Sequence, residues 1–328
     1  MKTYQVGTRG SGLALKQAHE VIGKLAAAFP ASRFHPLIIR TSGDARTDVP
    51  LAAVGGEGVF VKELERALER GEIDLAVHSL KDLPTRIPDG LELAAILPRV
   101  DTRDALITTN GAHLRDLRDG ATFGTGSLRR RAQLALLNPT WNFAEARGNL
   151  ETRLAKLDEG RFDALILACA GLERLGLAHR ITERLPFSAM LPAPGQGAIA
   201  IEIRRGDAAV ADIVRVLDDP DTHAAVAAER ALLREVEGGC QVPVGAHAHV
   251  VGDQLILEGV IAALDGRAHV KSRMEGPRAK PEALGVALGL ELLAKGGREI
   301  LDAVRAGIRA TPPLPGPQGV PAAPGDEG

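Results

Sequence analysis

VKELERALERGEIDLAVHSLKDLPT, residues 61–85, decides the fold. VKELERALER has the apolar spacing of a helix, IDLAVH (73–78) is an unbroken apolar run of strand length, and Lys81 and Asp82 come directly after it. A helix leading into a buried strand is the unit of an α/β sheet. Ligands of such sheets lie beyond the carboxyl ends of the strands, so Lys81 and Asp82 are candidate site residues. His78, inside the strand, reads as a hydrogen-bonded core residue rather than a base.

The same alternation extends in both directions. KTYQVGT (2–8) reads as a strand, Ser11 to about Ala28 as an amphipathic helix, RFHPLIIR (33–40) and LELAAIL (91–97) as strands. It restarts with DALIT (104–108), ATFGTG (121–126), the helix after Ser127, NFAEA (142–146), the helix around Thr152 to Leu157, and DALILA (163–168). Two α/β units are expected, each with a largely parallel sheet. LPRVDT (97–102) and LPAPGQG (191–197) carry the Pro and Gly of crossings between them, and GAIAIEIR (197–204) reads as a strand returning to the first unit. After the PDTHAAVAAERALLREVEGG helix the pattern changes to period-2 segments joined by GD and DG turns, which predicts a small antiparallel sheet with helices. Residues 311–328, rich in Pro, Gly and Ala, are expected to be a disordered tail.

Composition narrows the function classes. At 328 residues, 45% hydrophobic and 25% charged, the chain is expected to be soluble, globular and divided into two or three domains. Two cysteines far apart cannot build a disulfide framework, and neither a signal segment nor a membrane-length apolar run is seen, so a cytoplasmic monomer is expected. A formal charge of -2 and 3% aromatics argue against a nucleic-acid partner. Arg outnumbers Lys, which suits recognition of small carboxylates or phosphates.

Several motifs could carry chemistry. In EGGCQVPVG (237–245), Gly238 and Gly239 end a helix and Pro243 prevents its resumption, leaving Cys240 on a short loop. It is either a small buried hydrophobe or an exposed, reactive thiol; Cys169, within LILACAGL, reads as buried. FGTGSLRRRAQL (123–134) is a strand, a glycine loop and a helix start, an arrangement that favours anions. Arg129, Arg130 and Arg131 stand in that helix's first turn, where the dipole disfavours cations, so an anion is expected beside them and one of the three is expected to be solvated. Arg147 and Arg153 in ARGNLETR, Arg9 in TRGSGLAL and Arg174 in GLERLG repeat the placement of arginine near strand ends. His247 and His249 share a strand face, but no ligand cluster accompanies them and no metal is expected.

Taken together, RTSGD, GEGVFVKELE, DLAVHSLKDLP, GTGSLRRRAQL, RGNLETRLAKL, LPAPGQGAIAIE and EGGCQVPVG resemble, in order and spacing, the porphobilinogen deaminase (hydroxymethylbilane synthase) family over about residues 3 to 310. The resemblance implies an enzyme of porphyrin and haem biosynthesis. In that family a cysteine carries a covalent dipyrromethane cofactor through a thioether. Four porphobilinogen molecules are condensed onto it with loss of ammonia, and hydrolysis releases the linear tetrapyrrole. The matching thiol is Cys240.

The resemblance also implies roles for other residues. Asp82 matches the catalytic carboxylate that stabilises the azafulvene left when ammonia departs. Lys81, Thr125, Ser127, Arg129 and Arg130 match cofactor contacts; Arg9, Gln17, Arg147, Arg153, Arg174 and Gln196 match residues toward the acidic substrate, each pyrrole carrying an acetate and a propionate. Glu57 and Phe60 fall in a lid segment over the cleft, Glu57 where many relatives have Lys; Gly126 stands where Ser is common. The implied fold is two hinged periplasmic-binding-protein-like α/β domains, 1–97 with 198–216 and 103–191, plus a small α+β domain, 219–310, with a three-stranded antiparallel sheet. The competing reading is a two-domain small-anion binding or sensing protein without catalysis, which leaves Cys240 unexplained.

Overall fold

A computed structural model of the chain describes residues 2–40, 61–236 and 242–310. Cys240, Glu57, Phe60 and the tail from residue 311 lie outside them. Strands β1 (Lys2–Thr8), β2 (Ser32–Ile38), β3 (Leu75–Ser79) and β4 (Leu91–Ile96) come first; β5 (Asp104–Ile107), β6 (Thr122–Gly124), β7 (Asn142–Ala144), β8 (Ala164–Ala168) and β9 (Glu183–Arg184) follow. After β10 (Ile199–Arg204) the chain closes with β11 (Val244–Val251), β12 (Gln254–Ala262) and β13 (His269–Pro277).

These strands form three sheets: β2-β1-β3-β10-β4, β7-β6-β8-β5-β9, and β11-β12-β13. The third is antiparallel throughout. Each five-stranded sheet is parallel except for one strand: β10 opposes both its neighbours in the first, and β5 opposes both in the second. The reason is where the crossings enter. Asp104, the first residue of β5, pairs with Ala168 at the end of β8, and Ile199, the first of β10, pairs with Ser79 at the end of β3. A strand entering at the carboxyl ends of its neighbours must run against them. The two crossings therefore tie the ligand-binding ends of both sheets to one junction.

Burial follows the apolar runs. Val6, Val21, Leu25, Leu75, Ile201 and Ile203 fill one face of the first sheet, while Leu64, Leu68 and Ile73 fill the other under the Lys62–Glu69 helix. The second sheet is likewise covered on both faces, by clusters around Leu165 and Leu167 and around Phe123, Trp141 and Ile166. In the third unit, Leu255, Leu257 and Ile261 pack against Leu284, Leu288 and Leu292 of the Pro281–Leu292 helix.

Side-chain caps set where helices begin, and so where the site loops end. Ser11 accepts from Ala14 N–H, Ser127 from Arg130 N–H and Asn149 from Thr152 N–H. Within the crossings, Gly197 has φ +89°, and a Cβ there would lie 2.8 Å from Val100 O. Only glycine lets the two crossings touch. Glu229, fully buried on the Pro220–Glu235 helix, fastens the junction to the third unit. Its oxygens accept from Arg99 at 2.7 and 2.9 Å and from the N–H groups of Gly195 and Ala248, both at 2.7 Å. A fully saturated buried carboxylate of this kind loses several kcal/mol if its partner is removed, so it fixes the geometry around it.

Candidate active site

After β3 the chain makes a single tight turn, Leu80–Asp82. Leu80 is buried and anchors it, Lys81 is half-buried and Asp82 is exposed. Asp82 lines a recess together with Arg9, Ser11, Gln17, His78 and Ser79. Gln17 is only 3% exposed and is bonded to Ser79 Oγ at 2.9 Å, so its amide is fixed at the recess wall. His78 is a buried core residue, as its position in an apolar strand predicts, with Nε2 3.0 Å from Glu202 Oε2.

The anion expected beside the arginine run belongs to the protein itself. Arg129 Nη1 lies 2.6 Å from Asp104 Oδ2, and Arg130 donates through Nε and Nη2 to Oδ1 at 3.1 and 2.8 Å. Asp104 is completely buried, with Arg129 and Arg130 5% and 7% exposed. Burial pushes the Asp104 pKa up, but the two guanidinium charges overcome this and hold it well below the usual carboxylate range. The guanidinium groups also donate to Leu191 O and Ile166 O. Arg131 is the solvated member of the run, 5.7 Å from the Phe143 ring centre. Two cations against one acid leave this buried group with an excess of positive charge.

Gln196, fully buried in the second crossing, joins that group to the Asp82 turn. Its Nε2 donates to Asp104 Oδ1 at 3.0 Å and to Thr102 O at 2.8 Å, while its Oε1 accepts from Lys81 Nζ at 3.4 Å. Burial lowers the Lys81 pKa to about 8, against the opposing pull of Asp82. Thr125 and Ser127 act first on their own loop: Thr125 Oγ1 accepts from Ser127 N–H at 3.1 Å and Ser127 Oγ caps the helix that carries Arg129 and Arg130.

The remaining arginines are held more loosely. Arg147 is bonded to Glu145 through Nε at 2.6 Å, yet among the described residues its buried Nη2 has no hydrogen-bond partner. Arg153 donates from Nε to Gly148 O at 2.9 Å, and burial lowers its pKa to about 10, with Arg130 adding to the shift and Asp82 opposing it. Arg174 donates to Gly197 O at 3.1 Å and lies 3.5 Å from Glu20. Arg9 is half-buried at the recess.

Sequence reasoning missed Asp104, Glu202 and Glu20. A lone acid in an apolar strand, as in GAIAIEIR, is the signal that could have found Glu202. The His247 ring stacks on Phe187 at 4.0 Å and on His249 at 5.7 Å, and among the described residues no group of three or more His, Cys, Asp or Glu could hold a metal ion. No described helix is long and apolar enough to cross a membrane.

Two sheets whose ligand-binding ends meet at one junction, where two buried arginines share a single buried acid, define an α/β protein suited to acidic ligands. Residues 4–212 match the family described as "Porphobilinogen deaminase, dipyromethane cofactor binding domain", and residues 223–294 match "Porphobilinogen deaminase, C-terminal domain". The chain is 49% identical over 303 residues to a porphobilinogen deaminase of Syntrophobacter fumaroxidans, covering 92% of this chain and 98% of the relative. It is 52% identical over 302 residues to one of Desulforudis audaxviator, with the same coverage. Among solved structures, it is similar to the BvgS periplasmic VFT2 domain of Bordetella pertussis, with 16% identity, 65% of this chain and 85% of that one covered, and a TM-score of 0.38. The chain belongs to the porphobilinogen deaminase family. It is a transferase, a hydroxymethylbilane synthase acting on porphobilinogen with a dipyrromethane cofactor.

The residues present fit that cofactor. Its pyrroles carry carboxylates, and the site offers the half-buried Lys81 ammonium and the excess positive charge around Asp104.

Proposed function

We propose that Asp82 is the catalytic carboxylate and that Cys240 carries the cofactor. In this reading Lys81, Arg129 and Arg130, with Thr125 and Ser127 at the loop, hold the cofactor's acid groups. Arg9, Arg147, Arg153 and Arg174, with Gln17 and Gln196 in the cleft walls, receive those of porphobilinogen and the growing chain. Glu57 and Phe60 stay assigned to the lid and cleft on the resemblance alone. When bound, the dipyrromethane supplies the free pyrrole carbon at which growth begins.

The observation that carries this reading is the placement of one exposed carboxylate among unsaturated cations. Asp82 lies at the open edge of the recess, and its charge acts on both Lys81 and Arg153. Each cycle breaks the carbon–nitrogen bond of porphobilinogen's protonated aminomethyl group, ammonia leaving with the bonding pair, and forms one carbon–carbon bond at the free pyrrole carbon, whose own hydrogen leaves as a proton to solvent. The carbon left behind is positive, and a fixed negative charge beside it lowers the barrier. Asp82 also accepts hydrogen bonds from pyrrole N–H groups, which orients each ring. The cations hold the substrate's carboxylates, so the ring cannot drift while the carboxylate acts.

The same reading divides the chain into three domains, 1–97 with 198–216, 103–191 and 219–310, a division that the presence of three separate sheets supports. Cytoplasmic location and a monomeric state belong to the same reading: a thioether requires a reduced thiol, and one chain supplies every residue assigned here. Intact mass of the purified protein tests attachment. The expected result is added mass equal to two linked pyrroles, localised to the Cys240 peptide and lost in Cys240→Ser, because a hydroxyl is a far weaker nucleophile than a thiol. Added mass on another residue, or normal turnover by Cys240→Ser, would contradict it.

A further inference from the structure

Leu13, Gln17 and Glu20 follow one another at spacings of four and three on the Gly12–Ala28 helix, so they form one stripe. Leu13 and Gln17 line the recess beside Asp82. Glu20 continues the stripe to Arg174, with Oε2 3.5 Å from Nε. Arg174 ends the Cys169–Arg174 helix, which follows β8 of the second sheet, so the pair joins the two α/β units. No reading of the sequence picked out Glu20.

The pair differs in kind from the one at Asp104. Arg174's side chain is 10% exposed and Glu20's 37%, whereas Asp104 is fully buried. Among the described residues Arg174 Nε has no closer partner than Glu20 at 3.5 Å, and Nη2 donates to the neutral Gly197 carbonyl at 3.1 Å. Burial lowers the Arg174 pKa and the Glu20 charge works against that. An arginine this enclosed needs a counter-charge, and it has a loose one whose acid is partly exposed.

We infer that Glu20 is a positioning residue for Arg174: it neutralises and aims the guanidinium while the cleft holds no acid there, and yields it to a carboxylate of porphobilinogen or of the growing chain. This rests on the assignment of Arg174 to the substrate's acid groups. Exchange is physically easy in this geometry. A partly exposed pair contributes little stability, and Glu20 returns to water on release. The incoming carboxylate makes a charge-assisted contact with a guanidinium already turned toward it. An acid as buried as Asp104 could not be exchanged, because its release would leave a buried, unpaired charge.

Steady-state kinetics of the intact, cofactor-loaded enzyme test this. Glu20→Gln keeps a hydrogen-bonding side chain that can still aim the guanidinium and removes only the competing charge, so KM for porphobilinogen should fall about two- to five-fold while kcat changes by less than about twofold. Glu20→Asp, which keeps an acid, should stay closest to the parent. Arg174→Gln should raise KM, and adding Glu20→Gln to it should change nothing further. A KM that is unchanged or raised in Glu20→Gln, or a Glu20→Gln effect that persists without Arg174, would overturn the inference and leave Glu20 as a clasp between units. If Arg174→Gln itself left KM unchanged, the substrate assignment beneath the inference would fail, and the two failures would be told apart.

Discussion

Arg129 and Arg130 stand at the same junction as Arg147, Arg153 and Arg174, yet the two groups are held in opposite ways. The first pair closes on Asp104 at 2.6 and 2.8 Å and is almost fully buried. Among the described residues the second group has neutral carbonyls, partly exposed acids or, at Arg147 Nη2, no partner. The difference separates two jobs that a list of arginines merges. A guanidinium saturated by a buried carboxylate fixes where the loop and helix sit, and offers a ligand only its residual positive charge. One left half-satisfied is ready to be completed by a ligand.

The comparison is broken most severely at Asp104. Asp104→Asn leaves two buried guanidinium groups without their shared acid, a loss of about 3–5 kcal/mol of stability. Thermal or urea unfolding should show it before any assay does. Unchanged stability would mean that the junction does not depend on the pair. Next in size are Arg147→Leu and Arg153→Leu. They should unfold nearly as the parent does but stall growth, because each removes a charged hydrogen bond to a chain carboxylate, about 1.5–3 kcal/mol. Native mass spectrometry should then show partly extended chains accumulating, and unchanged kinetics without them would move both residues out of the cleft.

The smallest effect sharpens the comparison through pH. The folded Lys81 pKa, about 8, lies below its ordinary value of 10.5, so the folded chain sheds this proton first as pH rises. Between these values the unfolded state binds more protons, and Lys81 makes folding stability rise with pH. Its hold on an acidic ligand runs the other way, present below about 8 and lost above it. Loading of the cofactor-free protein should therefore weaken as pH passes 8, and Lys81→Arg should carry loading to higher pH because a guanidinium stays charged. Identical pH profiles for both proteins would remove Lys81 from the contact.

Much of this was legible in the sequence, for identifiable reasons. Apolar runs such as IDLAVH and DALILA announce buried strands because a strand covered on both faces has no polar alternation to confuse the period. Pro and Gly marked the crossings, since few other residues allow such turns. The direction of β5 and β10 was not legible, because side-chain periodicity is the same for parallel and antiparallel pairing. Three arginines in a helix's first turn demanded an anion, but Asp104 lies 25 positions earlier among 42 acidic residues, and nothing local singles it out. His78 and Glu202, each a lone polar residue in an apolar strand, could have been paired by that fact alone. Glu20 was hidden for the opposite reason: an acid on an amphipathic helix looks like any solvated one, and only the second unit's Arg174 gives it a task.

Asp82 carries the central claim, and one paired measurement on Asp82→Asn addresses it: turnover and unfolding of the same preparation. The substitution keeps the shape and removes the charge from an exposed position, so stability should stay within about 0.5 kcal/mol of the parent. Turnover should fall by about 10²–10³, the usual loss for one preorganised electrostatic contact in a transition state. Near-parental turnover in Asp82→Asn would show that the carboxylate takes no part in the chemistry, and the assignment of the active site made here would be wrong.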